Sequence, residues 1–417
     1  MLPDLYTRIP GPRSLSLAEK LRRYESRNVT YMDGDWPVFW ERAEGTNVWD
    51  ADGNRFLDLT SAFGVAGLGH GNSEVVAAMQ KQSQQLLHGM GDVHPTALKG
   101  DLCEQLLAVT FERWGVGGAK AVLSSSGFEA VESALKTARL ASGKRKVIAF
   151  SNAYHGLGYG SLLGTDLEKF HGPFGDQLAN VTVRLPFGGD EIEQISPDEI
   201  GAVLVEPIQG RAGKIVPPPE FLPRLRKWCD EHGAVLIFDE IYTGFFRTGK
   251  MFACEWDGVV PDLICLGKAL SGGFPISACV GKESVMDAWP ESTGEALHTS
   301  TFLGNPVGCA MALASLEILK RAGTGDMVKS AGCYLERALR KMEAPGIIDV
   351  RGRGMMWGVE LDRNAGALLG ELLKAGLIML ADGKEGSVLA FTPPYLISKE
   401  ETDFAIDTIA DMLAHRN

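Results

Sequence analysis

The stretch PDLICLGKALSGGFPISACV (residues 261–280) predicts a buried strand that ends near a lysine, Lys268, and continues into a glycine-rich turn. Earlier in the chain a second apolar run, AVLIF, is followed by Asp239, so an amine and a carboxylate each follow a predicted parallel strand. The carboxyl ends of the strands form the edge at which open α/β sheets bind ligands. A solvated surface charge is the alternative for a lone lysine at this position.

Lys268 and Asp239 together match the needs of pyridoxal phosphate chemistry. A lysine in such a crevice can form a Schiff base with an aldehyde cofactor, and an aspartate can keep a pyridinium nitrogen protonated. These two residues are therefore the predicted catalytic pair.

The segment AVLSSSGFEAVESALKTAR (residues 121–139) predicts a phosphate site. It passes from a strand-like run through Gly127 into a helical pattern of apolar residues. The free N–H groups and the positive end of the dipole at a helix N-terminus bind anions, and Ser125 or Ser126 can add a hydroxyl. An ordinary serine N-cap beside a glycine turn is the simpler alternative.

Two further predicted strands are followed by polar groups. After KVIAF (residues 146–150) come Tyr154, whose ring can stack on a planar cofactor, and His155. The run GAVLV is followed by Glu206. Each residue has a structural alternative, which is core packing for Tyr154, a backbone hydrogen bond for His155 and a surface ion pair for Glu206. Four strand ends therefore carry polar groups suited to one ligand site.

Eight segments in one order carry a resemblance to a known family, namely NVWDADGNRFLDLTSAFGVAGLGH, SSGFEAVESALKTAR, AYHG, EPIQG, FDEIYTGFFRTGKMFACEW, LGKALSGGFP, HTSTFLGNPVGCA and VRGRGMMWGVEL. The chain resembles the class III aminotransferases, the pyridoxal-phosphate-dependent family that includes ornithine, acetylornithine and 4-aminobutyrate aminotransferases. The resemblance implies an α/β fold of fold type I, with a large domain whose mainly parallel sheet is covered by helices and a smaller α+β domain.

The resemblance also implies roles for individual residues. Lys268 is the expected Schiff-base lysine, and Asp239 is the expected partner of the pyridine nitrogen. Thr301 matches a threonine that reaches the phosphate bound in the neighbouring subunit, which implies a homodimer with shared active sites. The remaining residues expected to bind pyridoxal 5'-phosphate are Gly127 and Phe128 through backbone N–H groups, Tyr154 and Ile241 on the two ring faces, and Ser126, His155, Glu206 and Tyr242 around them.

Three positions depart from the family pattern. Phe128 stands where Thr or Ser is frequent, and Tyr242 replaces a frequent Gln that contacts the phenolic oxygen of the cofactor. In GSVLAFTPPYLI, Ala390 occupies the place of an arginine that binds a substrate carboxylate in many members. Arg211 is an alternative carboxylate ligand, although a surface or structural salt bridge is the favoured explanation for it.

The resulting functional prediction is an aminotransferase that moves an amino group from a primary amine or ω-amino acid to a 2-oxo acid. An aminomutase, an amino-acid epimerase and a decarboxylase remain alternatives, because they use the same fold and cofactor residues. A non-catalytic binding protein is the alternative from another class. It needs neither Lys268 nor Asp239, whereas the chain has both.

Composition limits the other classes of function. The net charge of −12 disfavours nucleic acid and anionic membranes as partners, and 417 residues with 45% hydrophobic content suffice for a large core. The seven cysteines include no CxxC pair, which indicates neither a zinc site nor a disulfide framework and suits a reducing cytoplasm. No metal site and no membrane-spanning segment are expected.

Three segments are expected along the chain. Residues 1–55 form an N-terminal arm that contributes to the small domain. Residues 56–310 form the large cofactor-binding domain, in which apolar runs alternate with helical stretches such as FLPRLRKWCDEHG. Residues 311–417 form the C-terminal small domain, which starts with the helical pattern ALASLEILKRAG.

Overall fold

A computed structural model describes residues 1–30 and 36–415, which form two compact units. The first unit combines Met1–Asn72 with Asp326–Asn417, and the second is Ser73–Gly325. The limits at residues 55 and 310 differ from the limits of these units and stay predictions about domain organisation.

The strands of the described residues are divided between the two units. They are β1 (Trp40–Glu44), β2 (Asn47–Asp50), β3 (Arg55–Asp58), β4 (Ala119–Ser124), β5 (Lys146–Phe150), β6 (Thr182–Leu185), β7 (Ile200–Val205), β8 (Val235–Asp239), β9 (Leu263–Leu266), β10 (Ser277–Lys282), β11 (Ile347–Arg353), β12 (Met356–Leu361), β13 (Leu377–Ile378), β14 (Leu380–Asp382) and β15 (Val388–Phe391).

The α-helices of the same residues vary from single turns to five turns. They are α1 (Pro12–Tyr24), α2 (Ser61–Gly64), α3 (Ser73–Gln85), α4 (Ala97–Val109), α5 (Gly127–Ser142), α6 (Tyr159–Gly164), α7 (Glu168–His171), α8 (Phe221–His232), α9 (Glu283–Met286), α10 (Pro306–Lys320), α11 (Thr324–Lys341), α12 (Gly366–Lys374) and α13 (Lys399–Ala414). No helix in the described ranges is long and apolar enough to span a bilayer.

A seven-stranded sheet forms the centre of the second unit, in the order β4-β10-β9-β8-β7-β5-β6. Strands β6, β5, β7, β8 and β9 are parallel, and β10 is antiparallel to both of its neighbours. The carboxyl ends of β4, β5, β7, β8 and β9 therefore lie at one edge. The predicted α/β fold with a mainly parallel sheet is confirmed.

The sequence of each strand explains its place in the sheet. Strands β7, β8 and β9 are buried at every position, which is why they read as continuous apolar runs rather than as alternating patterns. Strand β6, with the sequence TVRL, is the outermost strand of the sheet and is mostly half-buried. Its sequence therefore contains no long apolar run.

Helix α5 covers one face of this sheet. Its small buried residues Ala130, Val131, Ala134 and Ala138 pack on strands β7 to β10, because alanine lets the helix axis approach the sheet closely. The helix ends at Gly143, whose φ of +66° is the left-handed C-cap that glycine adopts without strain. At its other end the helix begins at Gly127, shortly after β4 ends at Ser124.

The first unit contains two small sheets, in the orders β1-β2-β3-β13 and β11-β12-β15-β14. The second of them is antiparallel throughout. Ile9, Val48, Phe56, Leu373 and Ile378 form a buried apolar cluster in this unit. Helix α10, which contains the pattern predicted to start the small domain, belongs to the second unit instead.

Candidate active site

The side chain of Glu129 organises the backbone at the N-terminus of α5. The carboxylate of Glu129 accepts hydrogen bonds from the backbone N–H groups of Ser125 and Ser126, each at 2.8 Å. The N–H groups of Gly127 and Phe128 lie in the first turn, where no intrahelical acceptor exists. Two backbone donors and the helix dipole thus point out of the strand edge, and this is the arrangement that binds a phosphate.

Ile241 packs tightly beside this helix terminus. A Cβ atom added at Gly127 would lie 3.0 Å from Cδ1 of Ile241, and one added at Gly267 would lie 3.4 Å from its Cγ2. Ile241 therefore fills the space between the helix terminus and the end of β9, where Gly267 precedes Lys268. The predicted neighbours Gly127, Ile241 and Lys268 come together around this side chain.

Asp239, the last residue of β8, is buried and held from two sides. Its Oδ1 accepts a hydrogen bond from the N–H of Ile241 at 3.1 Å, and its Oδ2 lies 2.8 Å from Nδ1 of His155. A carboxylate only accepts hydrogen bonds, so Nδ1 of His155 carries the proton. These contacts fix the orientation of the Asp239 carboxylate at the end of a central strand.

His155 is itself almost completely buried, with 2% of its surface exposed. Its Nε2 has no hydrogen-bond partner among the residues that the structure describes. Its backbone N–H donates to the hydroxyl of Thr165 at 2.9 Å, which anchors the loop after β5. The ring is thus positioned from the backbone and presents its Nδ1 side to Asp239.

Glu206, directly after β7, is buried rather than a surface residue. One of its carboxylate oxygens accepts from the N–H of Tyr154 at 2.9 Å, and the other accepts from the N–H of Gly210 at 3.0 Å. Burial raises the pKa of this carboxyl group above its ordinary value. Glu206 therefore ties the Tyr154 loop to the loop that follows β7.

Lys268 follows β9 with a φ of +44°, a left-handed backbone conformation that a non-glycine residue rarely adopts. Its Nζ lies 3.5 Å from the centroid of the Tyr242 ring. Strained backbone of this kind is typical of functional positions, since surrounding structure has to maintain it. The short distance from its Nζ to the ring also puts Lys268 in cation–π contact with Tyr242.

The structure brings most of the predicted site residues to this edge. Direct contacts join Asp239 to His155, Tyr154 to Glu206, Ile241 to the Gly127 position and Lys268 to Tyr242. Phe128 packs against the same loop, because a Cβ added at Gly156 would lie 2.4 Å from its Cβ.

Two residues singled out from the sequence make none of these contacts. Thr301 is exposed in a turn and has no hydrogen bond to the residues of this edge within the described ranges. Ala390 is buried in β15 of the first unit, where it pairs with Gly358 and Leu380. The role expected for each of them stays a prediction.

One residue of the site escaped the sequence analysis. Lys214 is fully buried, and its Nζ donates to the hydroxyl of Tyr242 at 3.4 Å. Its only sequence signal is its position four residues after Gly210 in a glycine-containing loop. Arg211, in the same loop, has its Cζ 5.8 Å from the centroid of the Tyr154 ring.

Comparison with known proteins agrees with this geometry. Residues 30–413 match the protein family described as Aminotransferase class-III. The chain belongs to the class-III aminotransferases. It is therefore a pyridoxal-phosphate-dependent enzyme that transfers amino groups between small molecules, and the predicted family, enzyme class, cofactor and amino-group transfer are confirmed.

The relatives of this class-III chain cover it almost completely. It is 34% identical to an acetylornithine aminotransferase of Methanosarcina acetivorans, over 97% of each chain, and 36% identical to a 4-aminobutyrate aminotransferase of Mycobacterium leprae, over 98% of each chain. A solved ornithine aminotransferase of Toxoplasma gondii, with partial occupancy of PLP at its active site, matches with a TM-score of 0.86 and 30% identity. That match covers 95% of this chain and 94% of the other.

Proposed function

We propose that this class-III chain uses pyridoxal 5'-phosphate to transfer the amino group of a terminal amine to a 2-oxo acid. When bound, the cofactor supplies an aldehyde and a protonated pyridine ring that withdraws electrons from the substrate carbon. The observation that carries the proposal is the buried Asp239–His155 pair at the same strand edge as Lys268. The donors and acceptors at that edge fit the cofactor group by group.

The N-terminus of α5 is the proposed phosphate site. The N–H groups of Gly127 and Phe128 supply two donors, and the positive end of a 16-residue helix favours the negative charge. Ser126, at the N-cap position, is a further proposed contact of the phosphate, and its hydroxyl donates to the Glu129 carboxylate at 3.2 Å. Because Phe128 has no side-chain hydroxyl, its contribution is through the backbone alone.

Asp239 is the proposed partner of the ring nitrogen. His155 donates to one carboxylate oxygen and the N–H of Ile241 donates to the other, so these two contacts fix the orientation of the Asp239 carboxylate. An ionised carboxylate holds a proton on a pyridine nitrogen, whereas a neutral amide does not. Tyr154 and Ile241 are the proposed contacts on the two faces of the ring.

Lys268 is the proposed covalent and proton-transferring residue. With the cofactor bound, Nζ of Lys268 would hold the aldehyde carbon covalently and would give up that position to the substrate amine. The freed Nζ then takes the proton from the amine-bearing carbon of the substrate and later returns a proton as general acid. The left-handed backbone at Lys268 supports a fixed direction for this amine.

An exposed apolar patch supports a homodimer. Leu87, Met90, Val93 and Phe302 form this patch, and each is at least 60% exposed. The two segments are joined by the His88–Phe302 ring contact, with centroids 5.1 Å apart, and by a hydrogen bond from Asn305 to Leu87. Clustered apolar surface of this kind marks a protein interface.

Thr301 lies beside this patch in sequence and space. Its neighbour Phe302 belongs to the patch, and Thr299 donates to the carboxylate of Asp92 at 3.0 Å. In the proposed dimer, Thr301 reaches the phosphate bound by the partner subunit. Each active site is then shared between two chains.

The proposed donor carries its amine away from any carboxylate. Ala390 cannot make the bidentate contact that an arginine makes with a carboxylate, and such a charge-assisted contact contributes roughly 1.5–3 kcal/mol. The 2-oxo acid acceptor still carries a carboxylate, and Arg211, beside the Tyr154 ring, is the proposed group that binds it.

A cytoplasmic location is part of the proposal. All seven cysteines are free thiols, as expected in a reducing compartment. Most of them are buried, and burial raises the pKa of Cys309 to about 12, so its thiol stays protonated and unreactive.

A half-reaction tests the proposed transfer. An amine donor alone should convert the yellow, cofactor-loaded protein stoichiometrically to the aminated cofactor, with release of the carbonyl product. Terminal amines such as 4-aminobutyrate or a diamine should react faster than short α-amino acids. A product formed catalytically from the donor alone, without an acceptor, would instead identify an epimerase, aminomutase or decarboxylase.

A further inference from the structure

Lys214 lies in a tight hairpin loop that directs its side chain inward. Gln209 and Ile215 close the loop with reciprocal backbone hydrogen bonds of 3.0 Å. Within it, Lys214 has a φ of +60°, the left-handed region that favours glycine. Its side chain is nevertheless completely buried. A charged side chain in a strained backbone position is therefore held inside the protein by the loop geometry.

The ammonium group of Lys214 contacts Tyr242 from the hydroxyl side. Its Nζ lies 3.4 Å from the hydroxyl oxygen of Tyr242 and 4.6 Å from the ring centroid, and it also donates to the carbonyl of Gly210 at 3.4 Å. Lys268 Nζ lies 3.5 Å from the centroid of the same ring. One phenol ring thus contacts both lysine amines.

The chemistry of these groups sets the direction of the phenol proton. A lysine ammonium has three donors and no acceptor, so in its contact with Lys214 the oxygen of Tyr242 accepts. The single O–H proton of the phenol must therefore point away from Lys214. A hydroxyl that accepts from a cation is also polarised, which makes it a stronger donor to a third group.

We propose that Lys214 is a positioning residue that directs the O–H of Tyr242 toward an anionic oxygen bound beside Lys268. The inference rests on the proposed cofactor site, which puts anions at this edge. Two sources supply such an oxygen, namely the phenolate of the cofactor ring and the carboxylate of the 2-oxo acid. In either case Lys214 acts through Tyr242 and does not touch the anion.

Three variants test the proposal. Lys214→Met removes the ammonium and keeps the length of the side chain, and Tyr242→Phe keeps the ring and removes the hydroxyl. Lys144→Met is the matched control, because Lys144 is a half-buried lysine that donates to the backbone carbonyls of Pro197 and His232. The measurements are the visible absorption band of the cofactor-loaded protein and the separate KM values for amine donor and 2-oxo acid.

The two sources of the anion give different results. If the anion is the cofactor phenolate, Lys214→Met and Tyr242→Phe both shift the wavelength or pH midpoint of the visible band. If it is the acceptor carboxylate, the band stays unchanged and the KM for the 2-oxo acid rises about ten-fold, as for loss of one charge-assisted hydrogen bond, with the donor KM unchanged. Lys144→Met changes neither quantity.

A double variant separates positioning from a general structural effect. Because Lys214 acts through the hydroxyl, adding Lys214→Met to Tyr242→Phe should produce no further change in band or KM. Additive effects, or equal changes in Lys144→Met, would overturn the inference. So would a normal band and normal KM values in Lys214→Met. A wild-type protein that has no visible band contradicts the proposed function itself, so the two failures are distinguishable.

Discussion

Oδ2 of Asp239 and Nδ1 of His155 lie 2.8 Å apart at the end of a central strand, and both side chains are buried. The residues are 84 positions apart in the chain and come together because β5 and β8 both end at the same sheet edge. The histidine fixes the carboxylate, and the carboxylate fixes the histidine tautomer. This relationship explains how a negative charge is kept in place at an otherwise apolar strand end.

The first prediction concerns the charge of Asp239. Asp239→Asn should lower kcat about a hundred-fold, because a charge-assisted contact is worth up to about 3 kcal/mol. Asp262→Asn is the control, since Asp262 is a buried carboxylate that binds Arg226 and Lys282 instead. The control should lower the melting temperature and leave the visible band intact. Near-normal turnover in Asp239→Asn would contradict its role.

The second prediction concerns the space beside Ile241. Gly127→Ala should weaken cofactor binding about ten-fold, because its Cβ would lie 3.0 Å from Ile241 and displace that side chain. Gly100→Ala in α4 is the control, since a Cβ there meets no atom within 4 Å. It should leave cofactor binding unchanged and gain up to about 1 kcal/mol from helix propensity. Cofactor titration of both variants measures the difference, and equal affinities would refute the prediction.

The third prediction concerns the pH dependence of stability. Burial raises the pKa of Glu240 to about 6 from its ordinary value of 4.5. A carboxyl whose folded pKa is raised stabilises the fold below its unfolded pKa and loses that contribution as pH rises through about 6. From pH 4 to pH 7 the wild type should therefore lose about 2 kcal/mol through this group.

Glu240→Gln isolates that contribution. The variant lacks the titrating group, so its free energy of unfolding relative to wild type should increase by the same amount over this pH range. At every pH the variant should still be less stable than the wild type. The reason is that the Glu240 carboxylate accepts from the backbone N–H groups of Ala253 and Cys254. Denaturant titrations at both pH values measure this, and a difference independent of pH would disprove the assignment.

The fourth prediction concerns assembly. Phe302→Glu should convert an active dimer into an inactive monomer, because it puts a charge in the middle of the apolar patch. Ile348→Glu is the control, since Ile348 is 63% exposed in β11, outside that patch. Sedimentation and activity should remain normal in the control. An active Phe302→Glu monomer would rule out shared active sites.

The sequence predicted those parts of the fold that depend on local pattern. Buried parallel strands such as β7 and β8 appear as continuous apolar runs. Gly127, shortly after a predicted strand, predicts the start of α5. Strand β6 lacks such a run because it is the outermost strand of the sheet.

Contacts between distant residues could not be predicted in the same way. The pairing of His155 with Asp239, and of Lys214 with Tyr242, depends on how loops from different strands converge. For Glu206 the sequence alternatives included a surface carboxylate, whereas the folded chain buries it and pairs it with two backbone N–H groups. The pattern thus located the edge, and the three-dimensional fold determined the contacts there.

Borohydride reduction of the cofactor-loaded protein shows which lysine is covalently linked to the cofactor, and we expect Lys268. Reduction should abolish the yellow colour, and peptide mapping should find the pyridoxyl group on Nζ of Lys268 alone. The variant Lys268→Ala should bind the cofactor without a reducible link and should have no turnover. A label on another lysine such as Lys214, or a wild-type protein that takes up no label, would contradict the account.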